Sequence, residues 1–117
     1  MSISEANALL LRSAYSGQLK NVRKAIADGA DVDFMPDDTG LAALHLAVGR
    51  SHFEVLKYLI EEAGATITQD GMGRWPTLIA GECQASDEVC DYIVEREAEA
   101  LGLASTDRTD DVSIDED

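Results

Sequence analysis

A chain of 117 residues with 45% apolar residues is long enough for one domain with its own core, burying about two-thirds of the surface that its unfolded form exposes. Twenty-three acidic against nine basic residues leave a formal charge of -14, which disfavours nucleic acid and anionic membrane as partners and favours a basic protein. The charge is graded along the chain, from +2 over residues 1–28 to -11 over residues 77–117.

At the N-terminus, Leu9–Leu10–Leu11 follows no basic segment, and no run approaches the ~20 apolar residues of a membrane span, so neither signal peptide nor anchor is expected. Ala8 to Ser16 reads as a first helix and Leu19 to Asp28 as a second, with Val22, Ala25 and Ile26 at the i, i+3, i+4 spacing of a buried stripe. Gly29 suits the left-handed conformation that ends a helix. After the turn Phe34–Met35–Pro36–Asp37–Asp38 the pattern returns: Leu44 follows Leu10 by 34 residues, Ser51 follows Gly17 by 34, and Ile60 follows Ile26 by 34. It returns again in Leu78, Val89, Tyr92 and Val94, which follow Leu44, Val55, Tyr58 and Ile60 by the same 34.

Trp75–Pro76–Thr77–Leu78 opens the third unit, with Pro76 near a helix start where no backbone donor is needed. Ser86 is a good N-cap for the last helix, and Asp87 and Glu88 favour its positive end. Strict register would bury Glu82. A slip by one residue, placing Thr77, Ala80 and Gly81 inward and Glu82 outside, avoids an unpaired buried carboxylate and is the favoured register. Residues 104–117 hold six acids, one Arg, and only Val112 and Ile114 as sizeable apolar residues, the composition of a disordered acidic tail. Val112–Ser113–Ile114 alternates as a strand added to a partner's sheet edge would, although a solubilising tail is the simpler account.

The central segment Ala42–Ala43–Leu44–His45–Leu46–Ala47 resembles the T-P-L-H-x-A signature of ankyrin repeats, with Ala42 and Ala43 in place of Thr and Pro. The resemblance covers about residues 5–100. It implies an all-α solenoid of paired antiparallel helices with β-turn or hairpin-like connections, in three repeats at about 5–37, 38–71 and 72–103. A spacing of 34 against the usual ~33 places one extra residue in Phe34–Asp38 and another in Glu61–Glu62–Ala63. Terminal repeats must act as caps, and the first presents Lys20, Arg23 and Lys24 while the last presents Asp87, Asp91 and Glu95.

His45, His52, Cys83 and Cys90 invite a zinc site. The resemblance gives His45 and His52 a different task, hydrogen bonding between neighbouring turns, and the two cysteines read as buried or half-buried small hydrophobes, reduced in a cytoplasm. Gly71–Met72–Gly73 is a turn rather than a phosphate loop, its glycines explained by positive φ. No nucleophile elbow appears, and the resemblance implies a binding fold without catalysis or cofactor.

The resemblance places partner contacts on turn tips and on the exposed side of the first helices. The candidates are Phe34, Met35, Asp37, Asp38 and Leu41 in the first turn, Met72, Arg74 and Trp75 in the second, and Arg12, Tyr15, Arg50 and Glu82 on the helices. Trp75 either contacts the partner or packs as a lid on the second repeat. The expected function is stoichiometric protein binding by a chain that is monomeric when free, as an inhibitor or immunity-type protein neutralising a basic partner, or alternatively as an adaptor or assembly factor with a mainly apolar groove.

Overall fold

A computed structural model describes residues 2–103. Among them are six helices and no strand: α1 (Ile3–Ser16), α2 (Leu19–Ala27), α3 (Ala43–Gly49), α4 (Phe53–Glu61), α5 (Pro76–Glu82) and α6 (Asp87–Ala100). The helices form three antiparallel pairs stacked in sequence. First helices α1, α3 and α5 neighbour one another in one layer, and α2, α4 and α6 in the other. The expected all-α solenoid is what the chain adopts. The acidic segment 104–117 lies outside the described residues.

Residues at the repeat spacing form the core. Leu10 and Leu44 on first helices, with Val22, Leu56, Ala25, Leu59 and Ile93 on second helices, are fully or almost fully buried in one continuous cluster. A buried Leu or Ile contributes about 1.5–3 kcal/mol, and here each faces side chains of the adjacent repeat, so no pair of helices is complete alone. Helix α1 begins five residues earlier than the apolar pattern indicated. Ser2 Oγ accepts the Glu5 N–H at 3.1 Å and Glu5 Oε1 accepts the Ser2 N–H at 2.9 Å, a capping box written in the sequence as Ser2-x-x-Glu5.

The third repeat adopts the slipped register. Ala80 is buried and Glu82 exposed as expected, and Ile79 is buried as well; Leu78, the 34-residue equivalent of Leu44, is half exposed, Thr77 is only half-buried, and Gly81, expected inward, faces solvent. The cause is a change of spacing within the repeat. The His52 N–H bonds the Ala47 carbonyl and the Ala85 N–H bonds the Ala80 carbonyl, an offset of 33, but Leu56 to His52 is matched by Cys90 to Ser86, an offset of 34. One residue has therefore entered the connection before α6. Ser86 fills that place: its Oγ caps the Val89 N–H, and its own N–H donates to Ser51 Oγ at 2.8 Å. The extra residue expected after α4 is also present, because the Ala65 N–H reaches back six residues to the Leu59 carbonyl where the Ala30 N–H reaches five to Ala25.

The turns are tied by side chains and by close backbone approach. Asp33 accepts both the N–H and the hydroxyl of Thr66 at 2.8 Å, and Asn7 Oδ1 accepts the Asp31 N–H at 2.7 Å. The first turn meets the second at two glycines, where the Gly71 N–H donates to the Gly40 carbonyl at 2.7 Å. A Cβ on either residue would stand 2.8 Å from the other's Cα. Gly71 is thus required by contact rather than by the positive φ expected for it, while Gly73 does take a positive φ of 82°.

Candidate functional site

On the exposed side of the first helices, equivalent positions line up across the repeats. Arg12, Leu46 and Ile79 share one position, Tyr15, Gly49 and Glu82 the next, and Ser16, Arg50 and Cys83 a third. The side chains sit at i, i+3 and i+4 on each helix and so face the same way. Together they form a shallow groove based on the half-buried Leu46 with the buried Ile79 beneath it, Leu41 at the turn end, Tyr15 and Arg12 on the α1 side, and Cys83 on the α5 side. Gly49 leaves the middle of the groove without a side chain. A Cβ there would approach Cys83 Sγ to 3.4 Å and Ile79 Cγ2 to 3.6 Å.

Three arginines edge this surface, and each is held differently. The Arg50 guanidinium lies over the Tyr15 ring at 4.6 Å from its centroid, a contact between repeats that keeps both side chains extended along the groove wall. Arg12 is exposed on α1. Arg74 donates through Nε to Asp70 Oδ2 at 2.8 Å and through Nη1 to Glu82 Oε1 at 3.1 Å, so its charge is balanced within the chain. Among the described residues, no carboxylate lies within ion-pair distance of Arg12 or Arg50.

Asp70 organises the second turn. Its side chain is 1% exposed, and Oδ1 accepts the N–H groups of Met72 and Arg74 at 2.8 and 2.9 Å. Burial alone would raise the Asp70 pKa, but the two backbone donors and the Arg74 guanidinium more than offset it and hold the carboxyl below the usual range. Beside it, His45 is buried and bridges two turns. Its Nδ1 accepts the Ala42 N–H at 3.1 Å, which leaves the proton on Nε2 to be donated to the Thr68 carbonyl at 2.9 Å. His52 contacts the Tyr15 carbonyl through Nε2 at 2.9 Å. The two imidazoles thus have the turn-knitting partners that the signature implied, and no cluster of three potential metal ligands occurs among the described residues.

Of the candidate contact residues, the structure brings Arg12, Tyr15, Leu41, Arg50 and Arg74 to the groove, with Glu82 joined through Arg74. Phe34, Met35, Asp37, Asp38, Met72 and Trp75 do not line it. Phe34, Asp37, Asp38 and Met72 are exposed on their turns, Met35 is half-buried, and Trp75 is half-buried immediately before α5 as its N-cap residue. Cys90 is half-buried as expected, but Cys83 is exposed on the groove wall, as the C-cap residue of α5 one turn beyond the buried Ile79. Leu46, half-buried on the groove side, was missed. Its signal is the x of L-H-x-A, one step from the buried histidine and therefore turned outward.

The geometry agrees with comparison against known proteins. A family model described as ankyrin repeats, in three copies, matches residues 10–101, and the chain belongs to the ankyrin-repeat family. These repeats make it a protein–protein interaction module. Potassium channel AKT1 of Arabidopsis thaliana is 34% identical over 77 residues, covering 66% of this chain and 9% of that protein. The chain therefore spans less than a tenth of the length of this curated relative. No helix among the described residues is long and apolar enough to cross a membrane.

Proposed function

We propose that the groove receives an apolar segment of a protein partner, and that the partner is basic, so that binding masks it stoichiometrically in the manner of an inhibitor or immunity protein. The observation that carries the groove reading is the partly exposed Leu46 beside Tyr15 stacked under Arg50, a combination of apolar, aromatic and arginine side chains typical of interface centres. The formal charge of -14 supports the basic partner. Asp87, Glu88, Asp91 and Glu95 are exposed along α6, so the partner's positive surface meets that helix while its apolar segment enters the groove. The expected setting is a cytoplasm, where Cys83 and Cys90 remain reduced, with the free chain a monomer.

The adaptor reading draws on one specific observation: Glu82 is the sole carboxylate aligned with the groove rows, and it is already paired with Arg74. Salt separates the two readings. Affinity for the protein captured from native lysate should fall about tenfold or more between ~50 and ~500 mM salt if α6 steers a basic partner. Affinity unchanged across that range would leave the apolar groove as the whole interface and remove the neutralising role.

A further inference from the structure

Two contacts mark the side of each second helix that faces the following repeat. The Arg23 guanidinium of α2 lies over the Tyr58 ring of α4 at 5.0 Å from its centroid, and Glu61 Oε2 of α4 accepts the Tyr92 hydroxyl of α6 at 2.6 Å. The 34-residue equivalents of Arg23 and Glu61 in the third repeat are Asp91 and Glu95, one turn apart on α6, so this side of α6 looks out from the end of the stack. Val94 lies between them. Its equivalents Ile26 and Ile60 are half-buried against the core, whereas Val94 is 49% exposed. Ala98 and Leu101 continue the same side at helical spacing, and Leu101 is 45% exposed.

Helix α5 completes the face. Leu78 and Gly81 follow His45 and Val48 by 33 residues, the offset of α5. His45 and Val48 are buried, and His45 reaches the Thr68 carbonyl in the turn that leads to the third repeat. Leu78 is 50% exposed and Gly81 faces solvent. Leu78, Val94 and Leu101 thus present an apolar surface across a helix pair, at the place where each earlier repeat carries its neighbour.

Charge selects the occupant. Among the described residues Asp91 has no cation within ion-pair distance, and Glu95 stands 3.5 Å from Arg96, which is closer to Glu99 at 2.8 Å. A positively charged donor is the complement of Asp91 and Glu95. Residues 104–117, with six acids and one Arg, have the wrong sign. A second copy would bring Lys24, the equivalent of Tyr58, but Lys24 is already paired with Asp28 at 3.0 Å, and two chains of formal charge -14 repel.

We propose that the end of the stack formed by α5 and α6 docks a cationic amphipathic helix of the partner, with its apolar stripe over Leu78, Val94 and Leu101 and with lysine or arginine at the border of that stripe on Asp91 and Glu95. The helix takes the place that a further repeat would fill. This rests on the partner being basic, and it adds the form of the segment that meets α6.

The test uses a fluorescent synthetic peptide of about 18 residues, with leucine at i, i+3, i+4 and i+7 and lysine bordering that stripe, titrated with the full chain at about 150 mM salt and followed by anisotropy. Leu78→Ser with Val94→Ser leaves the charge unchanged and should weaken binding about tenfold or more, as should Asp91→Lys with Glu95→Lys. Glu54→Lys with Glu62→Lys makes the same change of charge on exposed positions of α4 and should cost less than about threefold. Tyr15→Ala with Arg50→Glu, in the groove, should leave binding intact. Wild type gives a second measurement that needs no variant: on adding the peptide, hydrogen exchange should slow in α5 and α6. Equal losses for the two lysine pairs, an unaffected Leu78/Val94 pair, or slowing confined to α1 and α3 would each overturn the proposal. So would a dimer, seen by light scattering, that the peptide disperses, because the face would then belong to a second copy. A tenfold gain in affinity on deleting residues 104–117 would assign the face to that segment with the same result. Because the peptide is defined and the groove variant is tested beside it, failure here leaves the salt experiment on the captured partner to be judged by itself.

Discussion

Replacing His45 with alanine should cost about 3–5 kcal/mol of unfolding free energy, measured by urea denaturation followed by circular dichroism. The ring is 2% exposed and is the link between the N-terminus of α3 and the following turn, accepting from the Ala42 N–H and donating to the Thr68 carbonyl. Truncation leaves a buried donor and an acceptor without partners, each costing about 1–3 kcal/mol, and opens a cavity among the first helices. A domain of this size has about 5–15 kcal/mol in total, so the variant should melt far earlier or lose cooperativity. A loss under ~1 kcal/mol would mean that the turns hold their positions without the ring.

Asp70→Ala should cost about 2–4 kcal/mol, because one nearly buried carboxylate satisfies two backbone N–H groups and the Arg74 guanidinium. The effect extends to the groove, since Arg74 then loses one of the two anchors that fix it at the groove edge. The same carboxylate sets a pH dependence. Its folded pKa lies below the ordinary 3.8, so its stabilisation is complete above that value and is lost as the pH falls through the depressed folded value. Wild type should therefore lose stability more steeply below about pH 4 than Asp70→Asn, which has no proton to gain at that position. Parallel pH profiles for the two proteins would show that the hydrogen bonds to Asp70 do not favour its ionised form.

The periodic positions were legible in the sequence because burial enforces them. Leu10 and Leu44, Val22 and Leu56, and Ala25, Leu59 and Ile93 recur at a spacing of 34 since each must meet the neighbouring repeat. The exchange of Leu78 for Ile79 as the inward residue was only half legible. The cost of burying Glu82 signalled a slip, but the compensating residue is Ser86, whose cap to Val89 preserves the apparent 34-residue register of α6 while α5 runs at 33. A local cap is silent in a count of apolar spacings. The groove was legible where residue type announced it, at Tyr15, Arg50 and Arg74, and hidden at the aliphatic Leu46, which looks like core until its outward position is known. Phe34 and Met35 drew attention by their type within an unusually long turn, yet the groove forms between helices and leaves that turn outside it.

The most direct test of recognition through the groove is capture from native lysate by three forms of the protein compared side by side: wild type, Tyr15→Ala with Arg50→Glu, and Phe34→Ser with Met35→Ser. Each is first matched for folding by thermal melting. Retention of the specifically bound protein should fall about tenfold or more for the groove pair and stay near wild type for the turn pair. Full retention by the groove pair, with loss by the turn pair, would place recognition on the first turn and contradict the account.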